Sequence, residues 1–157
     1  MKSARFYLDY VQHLLTANTR HGTHSPFVYR LVDEVIYARR QPEESRDRVV
    51  RLVARLVDHF RPREVYEPGS GPAPEPLDFV LATGRDAGET ADGLRALWPK
   101  LHSGSVLLLT DSYRNAKAKL LWQSIKARPE VTVTVDLFRV QLVFFRSGQA
   151  REHFRIR

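Results

Sequence analysis

The chain has 157 residues, 43% hydrophobic and 10% aromatic, which suits one domain with its own core and is too apolar for a disordered segment. It has no cysteine, which excludes disulfides, thiolate catalysis and cysteine-ligated metal sites. The net charge of +7 suits an anionic partner; no apolar run is long enough to span a bilayer and no signal core follows the first residues, so a cytoplasmic protein without membrane insertion is expected.

Residues 1–61 read as three helices. Ser3 is placed to cap the first, whose apolar stripe is Phe6, Tyr7, Tyr10, Val11, Leu14 and Leu15. Ser25-Pro26 opens the second, with serine as N-cap and proline where no amide donor is needed. Its stripe is Phe27, Val28, Leu31, Val32, Val35 and Ile36. The third covers residues 45–60, with Val49, Val53, Leu56, Val57 and Phe60 on one face.

From Pro62 onward strands alternate with helices. Strands are expected at 65–67 and 77–81, then a helix at 86–98 stopped by Pro99. Residues 105–110 form a continuous apolar run, as in a strand covered on both faces. A helix at 113–128 follows, ended by Pro129. Strands at 131–137 and 140–145 lie too close in sequence for anything but an antiparallel hairpin, and residues 153–157 alternate as a short edge strand would. The expected fold class is α/β: a mostly parallel sheet with an antiparallel hairpin, preceded by three helices. The helical segment (1–61) and the α/β segment (62–157) are expected to form one compact domain.

The most distinctive local pattern is Glu67-Pro68-Gly69-Ser70-Gly71, an acid-x-Gly-x-Gly turn leaving a short strand. Glycine tolerates positive φ and lets a backbone approach a nucleotide-like ligand. A helix should follow such a turn, but Pro72, Pro74 and Pro76 follow, and the next strand starts at Leu77.

The turn, the α/β order and the terminal hairpin together resemble a class I S-adenosylmethionine-dependent methyltransferase. More narrowly, Arg20-His21-Gly22-Thr23-His24-Ser25-Pro26-Phe27-Val28-Tyr29 is similar to the N-terminal signature of a methyltransferase-like family common in Bacteroidetes and related bacteria. The stretch from Val131 to Phe154 resembles its C-terminus, and Phe60-Arg61-Pro62-Arg63-Glu64-Val65 its lead-in to the first strand. The resemblance implies a Rossmann-like sheet, S-adenosylmethionine as cofactor, and cofactor contacts at Glu67, Gly69, Gly71 and Asp111. It also implies two strand–helix units between Gly71 and Leu77, and these are missing, so the cofactor-binding half reads as shortened. The acid that holds the ribose in such enzymes has no counterpart. The family's aspartate and histidine after its fourth strand fall at Ala82 and Arg85, and its Asp-Asp-x-His-Trp pattern reads Thr110-Asp111-Ser112-Tyr113-Arg114. These losses point to a chain without catalysis, without a metal and with no bound cofactor.

Each candidate has a plainer reading beside the functional one. Glu67, Gly69 and Gly71 are either a retained cofactor contact or a vestigial turn. Asp111 either meets a ligand or caps the helix beginning near Tyr113. His21, His24 and Ser25 read as an interhelical turn with a serine cap. Asp136, with Thr132 and Thr134, reads as an exposed or edge-pairing strand face. Trp98 and Trp122 read as core. Arginine concentrates in two stretches, eight between Arg39 and Arg63 and five between Arg139 and Arg157, with little aromatic interleaving apart from Phe154, so a dedicated nucleic-acid site is not favoured. The missing strands leave a new sheet edge, which is expected to be covered by the N-terminal helices or by a second copy of the chain. The leading functional expectation is a methyltransferase-like binding or regulatory module without activity. The alternatives are an active methyltransferase with a reduced site, and a small basic module for nucleic acid or another anion.

Overall fold

The computed structural model describes residues 3–18, 24–84 and 86–157. Thr19 to Thr23, including His21, and Arg85 lie outside the described residues.

Helix α1 (Ala4–Thr16) starts where the Ser3 hydroxyl accepts the Phe6 amide. Helix α2 (Pro26–Leu31) starts in the same way, with Ser25 Oγ accepting the Val28 amide, and continues as one π-helical turn, Val32–Ile36. Helix α3 (Arg48–Phe60) begins three residues later than expected, because Asp47 is its cap: one carboxylate oxygen accepts the Val49 and Val50 amides. Helix α4 (Ala87–Leu97) is capped by Asp86, and α5 (Ala116–Ala127) by Asn115.

The six strands are β1 (Val65–Tyr66), β2 (Leu77–Ala82), β3 (Leu101–Thr110), β4 (Val133–Asp136), β5 (Val140–Phe144) and β6 (Glu152–Arg155). They form one sheet in the order β1-β2-β3-β5-β4-β6. The β1–β2, β2–β3 and β4–β6 pairs are parallel, and β5 is antiparallel to β3 and β4. This is the expected α/β sheet with its hairpin. The short link from Glu67 to Leu77 keeps parallel pairing, with Val65 opposite Phe79 and Tyr66 opposite Val80. A parallel return normally needs a helical crossover. Here β1 is two residues long, so residues 67–76 have little strand to retrace and manage it without a helix.

Each face of the sheet carries its own core. On one face Phe79, Val106, Leu108, Val135, Leu142 and Phe144 pack against Val28, Leu31, Val35 and Leu56 of α2, the π turn and α3. On the other, Val80, Leu107, Leu109 and Val143 pack against Leu94 and Leu97 of α4 and Trp122 and Ile125 of α5. Trp122 is fully buried, as expected of a core residue, while Trp98 is half-buried under the Arg128 guanidinium. Phe154 is also core, on β6. At one edge Val65 stays exposed, and β1 presents only two residues to any neighbour, which blunts it. At the other edge α1 arrives: Asn18 bridges Ile156, and its amide donates to the Arg155 carbonyl at 2.7 Å.

Two expectations need correction. Most of the apolar stripe of α1 does not face the core, although Phe6 and Tyr10 meet Phe138 at its margin. Tyr7 is 58% and Leu15 80% exposed, whereas Asp9 and His13 are buried. Asp136 is not on an exposed face but 2% exposed, and Thr134 is buried with it. The cause is common to both. Strand β6 pairs outside β4, making β4 an interior strand, and α1 lies over its polar face with polar side chains turned inward.

No helix among the described residues is long and apolar enough to cross a membrane.

Candidate functional site

The glycine turn is built by its own hydrogen bonds. Gly69 (φ +90°) and Gly71 (φ +127°) hold backbone conformations that side-chain-bearing residues rarely adopt. The Ser70 amide and hydroxyl both donate to the Glu67 carbonyl, at 3.0 and 2.7 Å, and the Tyr66 hydroxyl donates to the Gly71 carbonyl at 2.8 Å. Pro68 packs on α4 so closely that a Cβ on Gly93 would stand 3.0 Å from it. Glu67 is exposed, and a Cβ on Gly69 or Gly71 would meet nothing within 4 Å. These glycines are therefore required by conformation.

Asp111 follows β3 in a left-handed conformation (φ +53°). Its amide donates to the Arg139 carbonyl at 2.9 Å, and its carboxylate stands 3.8 Å from Arg139 Nε. It does not cap α5, which starts three residues beyond Tyr113 under Asn115: the Asn115 side chain accepts the Ala118 amide at 2.8 Å. Ala82, where the resemblance places an aspartate, is buried, and Thr110 is half-buried. Among the described residues no helix follows the glycine turn and no strand lies beyond β1.

A buried polar network that sequence reasoning misses lies between α1, α5 and the β4–β5 hairpin. The Asp136 carboxylate accepts the Tyr113 hydroxyl, the Phe138 amide at 2.9 Å and Gln141 Nε2 at 3.3 Å. His13 Nε2 donates to the Ile156 carbonyl at 3.0 Å, while Nδ1 faces Asp136 at 4.0 Å. Asp9 pairs with Lys119. Burial first, and then the Asp136 charge, push the Tyr113 phenol well above its usual range, so it stays a donor. The adjoining cavity, lined by Asp9, His13, Tyr113 and Trp122 among others, has a volume of about 30 Å³. That holds one water and no substrate. The network anchors α1 and shapes the hairpin, with Asp136 bonding the amide two residues on, as aspartate does in tight turns. The signal for it in the sequence is the i, i+4 spacing of Asp9 and His13, which puts them on one face of α1.

The large cavity is elsewhere. It measures about 560 Å³ and opens between α1, the end of the π turn, α3 and the tip of the β4–β5 hairpin. Tyr10 and Leu14 of α1 line it, which accounts for part of that helix's outward-facing stripe. Arg40, Arg48, Arg51, Arg55, Arg139 and Arg157 all line it, and no acidic residue does. The two arginine-rich stretches of the sequence converge here. Arg55 is engaged in the fold: its guanidinium meets both Glu44 oxygens and the Val35, Ala38 and Arg39 carbonyls, which fixes the rim. Arg40 and Arg51 donate to the Glu44 and Ser45 carbonyls. Arg48 has no acidic partner among the described residues.

Arg55 first, and then the Gln41 amide, hold the Glu44 carboxyl down at about 2. Because the folded value is lowered, the pair's stabilisation is complete above the ordinary carboxylate range and is lost as pH falls towards about 2. Arg55→Gln should therefore be less stable than the wild type at neutral pH, with the gap closing on acidification. Urea midpoints across that range check this, and a gap independent of pH would contradict it.

Among the described residues no three His, Cys, Asp or Glu side chains are grouped to hold a metal. No protein-family model matches the sequence, and no curated protein and no solved structure matches it.

Proposed function

We propose that this chain is a reduced, non-catalytic relative of class I S-adenosylmethionine-dependent methyltransferases that works as a binding module. One observation carries the reading: residues 67–76 return β1 directly to a parallel β2 with no helix between them. A glycine turn that ends in a helix offers a ligand free amides and the positive end of a dipole. This turn ends in prolines and closes on itself through Tyr66 and Ser70. The strand order also supports the ancestry, since it fits a methyltransferase sheet that has lost its strands beyond β1.

An active enzyme with a reduced site is less well supported, because Glu67 is exposed and Asp111 is engaged by Arg139. Pairing of two copies at the β1 edge has only two residues to work with. The arrangement favours an anionic ligand over a second chain. Titration calorimetry with S-adenosylmethionine tests the central part of the reading, and no saturable heat is expected. Micromolar binding that disappears in Gly69→Arg would establish a working cofactor site and overturn it.

A further inference from the structure

We infer that the arginine-lined cavity between α1, α3 and the β4–β5 hairpin binds a small organic oxyanion carried on an apolar body. This names the ligand class for the binding-module reading and rests on it for biological role, though not for the binding itself.

Three observations converge. The volume of about 560 Å³ lies within the roughly 300–1,000 Å³ typical of small-molecule sites. The walls are of two kinds: Leu14, Ile36, Leu52 and Val140 supply apolar surface, while Arg40, Arg48, Arg51 and Arg139 supply guanidinium groups. The local acids are already committed. Glu44 is clamped by Arg55 and Asp47 accepts two α3 amides, while Arg139 is only loosely held, its Nε 3.8 Å from Asp111 and its side chain 57% exposed. Arg48 is left with no acid of its own.

Guanidinium is the side chain best matched to a carboxylate, phosphate or sulfonate, because its planar fork donates two parallel hydrogen bonds. The apolar walls decide between ligand classes. A nucleic-acid backbone would meet the arginines at the rim and leave Leu14, Ile36 and Leu52 uncovered. A compact ligand with an anionic head and an apolar body uses both.

Two fluorescent probes isolate the claim. 8-Anilinonaphthalene-1-sulfonate carries a sulfonate on an aromatic body, and N-phenyl-1-naphthylamine is the same body without the charge. The full chain should bind the sulfonate tighter by about tenfold or more, the equivalent of one charge-assisted hydrogen bond. The double variant Arg48→Glu/Arg139→Glu should lose that preference while still binding the neutral probe. Both positions are exposed, and glutamate suits the first turn of a helix, so the fold is retained; far-ultraviolet circular dichroism checks this. Leu52→Trp, which fills the cavity, should weaken both probes. Equal affinity for the two probes, a preference that survives the double variant, or no binding of either would overturn the proposal. So would a short oligonucleotide that binds through the same two arginines with steep salt dependence, which would make this a polyanion surface. The S-adenosylmethionine titration reads the glycine turn and this one reads the cavity, so either can fail alone.

Discussion

Replacing Asp136 with alanine is expected to cost the fold about 3–5 kcal/mol, a large share of the roughly 5–15 kcal/mol that holds a typical domain together. The carboxylate is 2% exposed and serves three donors on three sides: the Tyr113 hydroxyl, the Phe138 amide and Gln141 Nε2. Alanine leaves the Tyr113 hydroxyl and the Phe138 amide buried without this acceptor, while Gln141 Nε2 keeps the Phe138 carbonyl at 2.7 Å; each orphaned donor costs about 1–3 kcal/mol, less than additively. His13 also loses the charge it faces. Tyr113→Phe removes one partner and keeps the carboxylate, so about 1–2 kcal/mol is expected there. Urea unfolding of both variants makes the comparison. A loss below about 1 kcal/mol for Asp136→Ala would show that α1 and the hairpin are held without the network.

Phe144→Ala is expected to cost a similar amount, about 3–5 kcal/mol, through a cavity at the centre of the molecule. Phe144 is 2% exposed on β5, paired antiparallel with Val106 of β3 and Val133 of β4, and its ring meets Phe27 edge-on at 5.0 Å and Phe60 at 5.8 Å. Those two rings belong to α2 and α3, so this side chain takes part in joining both helices to the sheet. The variant should unfold in a single transition, shifted to lower denaturant by far- and near-ultraviolet signals alike. Helical signal lost ahead of the sheet would mean that residues 1–61 are a separate unit.

Much of the fold is legible in the residue pattern, and the failures have physical causes. The apolar run ending at Thr110 could be little other than a covered strand, and the short gap between the strands expected at 131–137 and 140–145 forced their hairpin. The caps at Ser3 and Ser25 are local chemistry and hold in the structure. Asp136 is different. Along β4, Val-Thr-Val-Thr-Val-Asp alternates as though one face met water. Its burial comes from β6 and α1, elements that reach it from the two ends of the chain. The α1 stripe fails for the same reason: periodicity identifies a helix and an apolar face, but not whether that face or the polar one meets the sheet. The arginine stretches were visible as two runs of charge. Their convergence depends on the hairpin tip reaching the start of α3, which no local pattern encodes. The glycine turn was legible as a turn, and the prolines after it as the absence of a helix.

The proposed binding site of this chain is thus the cavity below Arg48 and Arg139 rather than the turn at Gly69. Amide shifts in one labelled sample, followed while S-adenosylmethionine and then the anionic naphthalene probe are added, test that placement most directly. The expected result is that the cofactor leaves Gly69 and Gly71 unmoved, while the probe shifts Arg48, Leu52, Arg139 and Val140. Saturating shifts at Gly69 and Gly71 with S-adenosylmethionine, and none around Arg48, would contradict it.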